Sequence, residues 1–197
     1  ELLTGAVEGS FNRMCVDNDM STSDTVLCLA NGQSGTAAIE DSHGPAAAAF
    51  AEGLNAICLE AAKAIVRDGE GATKFIEIRV SGAKSDEDAL KAARAIAHSQ
   101  LCKTAFFGQD PNWGRLACAA GYSGADFQAN DLDIYLNDVK LLAGGQPADY
   151  QEKDAAAVME QPEFQVRIVL GAGPGAATFW TSDLSHDYVS INADYRS

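Results

Sequence analysis

The sequence predicts an α+β fold: a layered mixed sheet with helices packed against it, in two lobes. Three observations carry that expectation. Residues 74–80 alternate apolar and polar side chains, the period of a half-buried strand. Pro45–Arg67 and the stretch SDEDALKAARAIAHS place apolar residues at helical spacing. Helical and extended segments then interleave without a uniform strand–helix–strand rhythm, which favours mixed layers over a doubly wound parallel sheet. The character of the chain changes after Gly124, so a soft boundary within 121–131 is expected, with lobes 1–124 and 125–197.

Taken in order, ELLTGAVEG reads as the tail of a helix and residues 11–16 as extended. Residues 24–29 read as a buried strand closed by Asn31-Gly32. Pro45–Arg67 forms a long helix whose predicted core face is Phe50, Leu54, Ile57, Cys58, Ala61 and Ile65, with Asp68-Gly69 as its stop. In the following strand Ile76, Ile78 and Val80 face one way and Glu77 and Arg79 the other. Ser85 then caps a helix whose first-turn acids suit the positive end of the dipole. CKTAFFG reads as a strand entering the turn DPNWGR and a short helix, LACAAG. Beyond the boundary, DLDIYLNDVKLLAG is a hairpin turning at Asn137-Asp138. EKDAAAVME is a helix, EFQVRIVLG and ATFWTSDLS are strands, and HDYVSINADYRS is weakly helical.

Composition narrows the function. Across 197 residues, 47% hydrophobic and 21% charged content is ordinary for a globular protein. The net charge of −14 comes without basic clusters, so neither nucleic acid nor an anionic membrane is an expected partner. Small anions stay open, because exposed charges are screened beyond about 8 Å. No apolar stretch is long enough to span a bilayer. Five cysteines (Cys15, Cys28, Cys58, Cys102 and Cys118) are scattered, odd in number and without a CxxC pair, and there are three histidines. Reduced thiols, a cytoplasmic location and no metal site are expected. The residues open without a signal-peptide pattern.

Four short stretches invite chemical readings. In VDNDMSTSDT, Asp17, Asp19 and Ser21 match the first calcium-loop positions, but Thr22 replaces the turn glycine and Cys28 the bidentate glutamate. GAGPGA lacks the Gly-Lys-Ser/Thr of a phosphate loop and reads as a turn between strands. In DPNWGR, Arg115 is either a fork for a substrate carboxylate or a structural partner of Asp110. In DGEGATK, Glu70 between two glycines is either solvated or placed where a ligand can approach the backbone closely.

In order along the chain, STSDTVLCLANG, DGEGATK, KTAFFGQDPNWGR and the terminal YVSINADYRS resemble the β chain of ornithine acetyltransferase, the glutamate N-acetyltransferase of arginine biosynthesis. The similarity covers residues 10–197. It implies the layered fold of that family, akin to N-terminal-nucleophile enzymes, and a precursor that cleaves itself into α and β chains. The new N-terminal Thr of β takes acetyl from N2-acetylornithine and passes it to glutamate, its own α-amine serving as base. The resemblance further implies an oxyanion hole from the α chain and an α2β2 heterotetramer. No bound cofactor is implied, with acetyl-CoA as an optional co-substrate. The family's Met-Ala-Thr-Met-Leu segment does not occur here, so the nucleophilic Thr is expected upstream of Glu1.

By position, the resemblance makes Glu70, Asn192 and Ser197 substrate contacts, Ser197 replacing the commoner Thr. Glu70 is expected to pair with the ornithine side-chain ammonium. Asp24 and Thr25 are expected to hydrogen-bond the backbone around the nucleophile. A non-catalytic binding module of the same fold, a secondary-metabolism acyltransferase and a related amidohydrolase are the alternatives.

Overall fold

The sheet is organised around one long strand. In the computed structural model, which describes residues 1–194, β2 (Phe75–Ala83) pairs in parallel with β6 (Glu163–Val169) and antiparallel with β7 (Gly175–Ser182). Outside β7 lies β1 (Met14–Cys15), parallel to it. On the other side, β3 (Asp133–Leu136) pairs antiparallel with β6, and β4 (Val139–Ala143) and β5 (Gln146–Pro147) complete the order β1-β7-β2-β6-β3-β4-β5. The expected mixed sheet is therefore present. Strands from both sides of residue 124 share this one sheet and one core.

Alternation decides which face is buried. Ile76, Ile78 and Val80 point into the main core beneath α3 (Asp86–His98), where Ala89, Ala92, Ala93 and Ile96 meet them. Small alanines let this helix approach the sheet closely, and α5 (Trp113–Gly121) and α6 (Glu152–Glu160) extend the same layer. On the opposite face Phe75 and Trp180 pack with Val66 of α2 (Pro45–Arg67), against which the short α1 (Leu2–Glu8) lies. Ser85 caps α3 as its sequence predicts, accepting from the Asp88 amide. The hairpin turns at Asn137, whose φ of 47° suits a tight two-residue turn. GAGPGA is a turn, and it must be small: a Cβ on Gly173 would stand 2.1 Å from the Ala83 carbonyl.

Four expectations are corrected. CKTAFFG belongs to a helix, α4 (Gln100–Phe107). Ser99 accepts from the Cys102 amide as N-cap, and Cys102, Ala105 and Phe106 form a buried face at helical spacing, which outweighs the strand propensity of Thr and Phe. Residues 24–29 form no strand and pair with none among the described residues, and Leu27 and Leu29 are 74% and 91% exposed. Of residues 11–16 only Met14–Cys15 is strand, after a 3-10 turn at Phe11–Arg13. Finally, α2 buries Ala47, Cys58, Ala62 and Val66 and leaves Phe50, Ile57 and Ile65 exposed. The helix is apolar around more than half its circumference, so periodicity marks two adjacent faces, and the sheet takes the one with smaller side chains.

Candidate functional site

Two connectors meet at one end of β2 and β7. The first, residues 68–74, links α2 to β2; the second, residues 183–185, links β7 to α7 (His186–Asp194). The carboxylate of Asp183 is buried and accepts from the Thr73 amide at 2.8 Å, the Thr73 hydroxyl at 2.5 Å and the Lys74 amide at 3.0 Å. The Ser185 hydroxyl donates to the Gly71 carbonyl at 2.6 Å and accepts from the Tyr188 amide at 3.3 Å. Gly71 has φ +67°, and a Cβ there would lie 2.4 Å from the Tyr188 nitrogen. Both the conformation and the contact demand glycine.

This clamp presses the first connector onto α7 and brings two distant polar side chains together. The Asn192 amide donates to Glu70 Oε2 at 2.9 Å and to the Tyr188 carbonyl at 3.0 Å. The Tyr188 hydroxyl in turn donates to Asp17 at 3.1 Å. Desolvation raises the pKa of Tyr188, and the bond to Asp17 and the charges of Asp17, Asp19 and Glu70 push the same way. The phenol therefore stays protonated as a donor, and the three carboxylates make the surroundings negative. Such a site suits a cationic group on a ligand.

Glu70 and Asn192 are thus placed side by side, as the sequence reading requires of a shared site. Ser197 lies outside the described residues. Asp24 accepts from the Ser21 amide and the Thr25 hydroxyl donates to the Ser23 carbonyl, local bonds within an exposed turn. It is Asp17, in the same acidic stretch, that reaches α7. Arg115 donates to the Leu101 carbonyl at 2.8 Å and to the Thr104 hydroxyl, tying α5 to α4; it forms no ion pair with Asp110, whose carboxylate takes the Asn112 amide instead. Sequence reasoning reaches Asp17 only as a calcium-loop match that fails elsewhere in the loop, and it misses Asp183, Ser185 and Tyr188. The spacing of Ser185 and Tyr188 is that of a helix cap three residues before its donor, and it was the one legible signal. Among the described residues no group of three or more His, Cys, Asp or Glu could hold a metal ion. Nor is any described helix long and apolar enough to cross a membrane.

The whole chain, residues 1–197, matches the family described as the ArgJ family. The chain belongs to the ArgJ family. An arginine biosynthesis bifunctional protein ArgJ from Geobacter sulfurreducens is 51% identical over 98% of this chain and 49% of the relative. The mitochondrial ArgJ of Schizosaccharomyces pombe is 46% identical over 100% of this chain and 45% of the relative. This ArgJ-family chain therefore spans about half the length of the curated relatives it matches. The solved structure of argJ from Bacillus halodurans superimposes with a TM-score of 0.92 at 39% identity, covering 98% of this chain and 91% of that one. The mixed-sheet fold is the ArgJ fold.

Proposed function

We propose that the chain is the β portion of an ornithine acetyltransferase, moving acetyl from N2-acetylornithine to glutamate through an acetyl-Thr intermediate. The observation that carries this reading is the Glu70–Asn192 pair, held at 2.9 Å within a negative surround. Glu70 receives the side-chain ammonium of the ornithine moiety, while Asn192, able to donate and accept, orients the ligand's amide or carboxylate. The Thr hydroxyl, assigned upstream of Glu1, attacks the acetyl carbonyl. The C–N bond breaks, the ornithine amine leaves carrying the proton, and the amine of glutamate then attacks the ester and frees the Thr. Ser197 is assigned to the same ligand, and Asp24 and Thr25 to supporting the backbone near the nucleophile. No resident cofactor is required. Relatives are named bifunctional, and acetyl-CoA is proposed as a second acetyl source.

The oxyanion hole is assigned to an α portion of the same precursor, docked in an α2β2 assembly. Two features support such a partner. The exposed apolar stripe of α2, with Phe50, Ile57 and Ile65, lies on the same chain as the exposed Leu27 and Leu29, and the relatives are about twice as long. Free cysteines suit a reducing compartment, and the cytoplasm is the proposed location. Mass spectrometry of the complete protein after brief exposure to N2-acetylornithine tests the reading. An acetyl-sized mass gain on a Thr, discharged by glutamate, is expected; a folded protein that gains no mass refutes it.

A further inference from the structure

One buried ionisable group takes no direct part in the Glu70–Asn192 site. Lys103, on α4, is 1% exposed, yet no carboxylate lies within ion-pair distance of it among the described residues. Its Nζ donates to Thr181 Oγ1 at 3.0 Å, to Ser182 Oγ at 3.2 Å and to the Ser182 carbonyl. Each of these oxygens can only accept from it. The Thr181 hydroxyl donates to the Ala97 carbonyl at 3.1 Å, with the Ser182 carbonyl a longer second acceptor at 3.4 Å, and the Ser182 hydroxyl donates to the Asp183 carbonyl at 3.1 Å. Three committed acceptors require three N–H donors, and a lysine has three only as the ammonium. A neutral amine brings two hydrogens and a lone pair, so one of the three oxygens loses its bond to Lys103.

The charged groups around Lys103 come from four elements. Asp183 lies at the β7–α7 bend, Asp17 after β1, the Cys15 thiol on β1 and His98 at the end of α3. Burial pushes the Lys103 pKa down to about 8, against the pull of Cys15, Asp183 and Asp17. The backbone joins in as well, since the Leu184 amide donates to the Lys103 carbonyl at 3.2 Å. Lys103 thus grips residues 181–184, the same bend whose Asp183 and Ser185 clamp Thr73, Lys74 and Gly71.

We infer that Lys103 is a positioning residue for the Glu70–Asn192 site, its ammonium holding the β7–α7 bend and, through Asp183 and Ser185, the Glu70 connector against α7. The inference rests on the acetyl-transfer reading of that site only for its kinetic readout. When the ammonium deprotonates, the bend loses one of its three donors, the connector loosens, and substrate affinity falls.

The test uses the complete protein with both portions, assayed for acetyl transfer from N2-acetylornithine to glutamate between roughly pH 6 and pH 10. In the wild type, KM for N2-acetylornithine is expected to rise as the pH passes about 8. Lys103→Met should raise KM by about tenfold at neutral pH, change kcat by less than about threefold, and abolish the alkaline rise. Lys103→Arg, which keeps a charge that does not titrate, should recover most of the lost affinity without an alkaline rise. A folded Lys103→Met enzyme with wild-type KM and an unchanged alkaline limb overturns the inference. Should that variant fail to fold, amide hydrogen exchange of Thr73 and Lys74 in the wild type decides. Their protection is expected to drop as Lys103 deprotonates, beyond the ordinary base-catalysed acceleration, and constant protection through that range overturns the idea. A wild-type protein that transfers no acetyl refutes the proposed function, and the same exchange measurement then judges Lys103 by itself.

Discussion

Replacing Asp183 removes the clamp between the two connectors, and the structure grades the cost. Its carboxylate is 3% exposed and accepts three hydrogen bonds, all from the first connector. Asp183→Ala strands the buried Lys74 amide, while the amide and hydroxyl of the exposed Thr73 turn to water. A bond to a charged acceptor is worth about 1.5–3 kcal/mol, but removing the carboxylate also returns its own desolvation cost and water replaces the Thr73 bonds, so the net loss is about 2–4 kcal/mol. Asp183→Asn is milder. Its oxygen can still accept from the Thr73 and Lys74 amides, and its NH2 can donate to a rotated Thr73 hydroxyl, leaving only the charge contribution, about 1 kcal/mol. Urea unfolding of the complete protein, followed by intrinsic fluorescence, gives both values from the shift in midpoint at constant slope. An alanine variant no less stable than the asparagine variant, or within about 1 kcal/mol of wild type, would refute the clamp.

Other perturbations test neighbouring parts of the argument. Glu70→Ala removes an exposed side chain and should leave stability within about 1 kcal/mol of wild type while lowering kcat/KM for acetyl transfer by more than about tenfold; unchanged kinetics would remove Glu70 from the site. Gly71→Ala combines left-handed strain with overlap at the Tyr188 nitrogen and should cost about 2–4 kcal/mol in the same unfolding assay. Burial raises the Glu77 pKa, but the Trp180 indole, Arg79 and Gln165 outweigh it and hold the carboxyl below its ordinary value. Its contribution is therefore complete above the unfolded value of about 4.3 and is lost as pH falls through the lower folded value, so Glu77→Gln should flatten the acid limb of stability, seen as midpoints that converge with wild type in acid. Ile57→Asp, on the exposed stripe of α2, should abolish co-purification with the complementary portion of a split precursor without altering the far-UV spectrum, and retained co-purification would move the interface elsewhere.

Much of the fold was legible because single elements announce themselves. The alternation of β2, the Ser85 cap of α3 and the turn of the hairpin each follow from a local rule that tertiary contacts then reinforce. Where local rules conflict, the reading fails. CKTAFFG carries strand-forming side chains behind a helix cap, and the cap prevails because the buried spacing agrees with it. Residues 24–29 look like a strand but find no ladder among the described residues. The site is harder still. Glu70 and Asn192 are 122 positions apart, so only resemblance to known sequences could pair them. The groups that enforce the pairing, Asp183, Ser185 and Lys103, act through backbone atoms and hydroxyls 78 to 114 positions away, which leave no trace in a local pattern of side chains.

The position of β2 has a consequence for synthesis on the ribosome. Glu77 in this strand meets Gln165 and Trp180, which follow it by 88 and 103 positions, on the two neighbouring strands. At translation speeds of about 5–20 residues per second, the isoleucine-rich ribbon waits roughly 5–20 seconds for its neighbours to be made. Throughout that interval it is a nascent aggregation hazard, and a cell making this protein must shield it, most simply by chaperone capture soon after residue 83 leaves the exit tunnel.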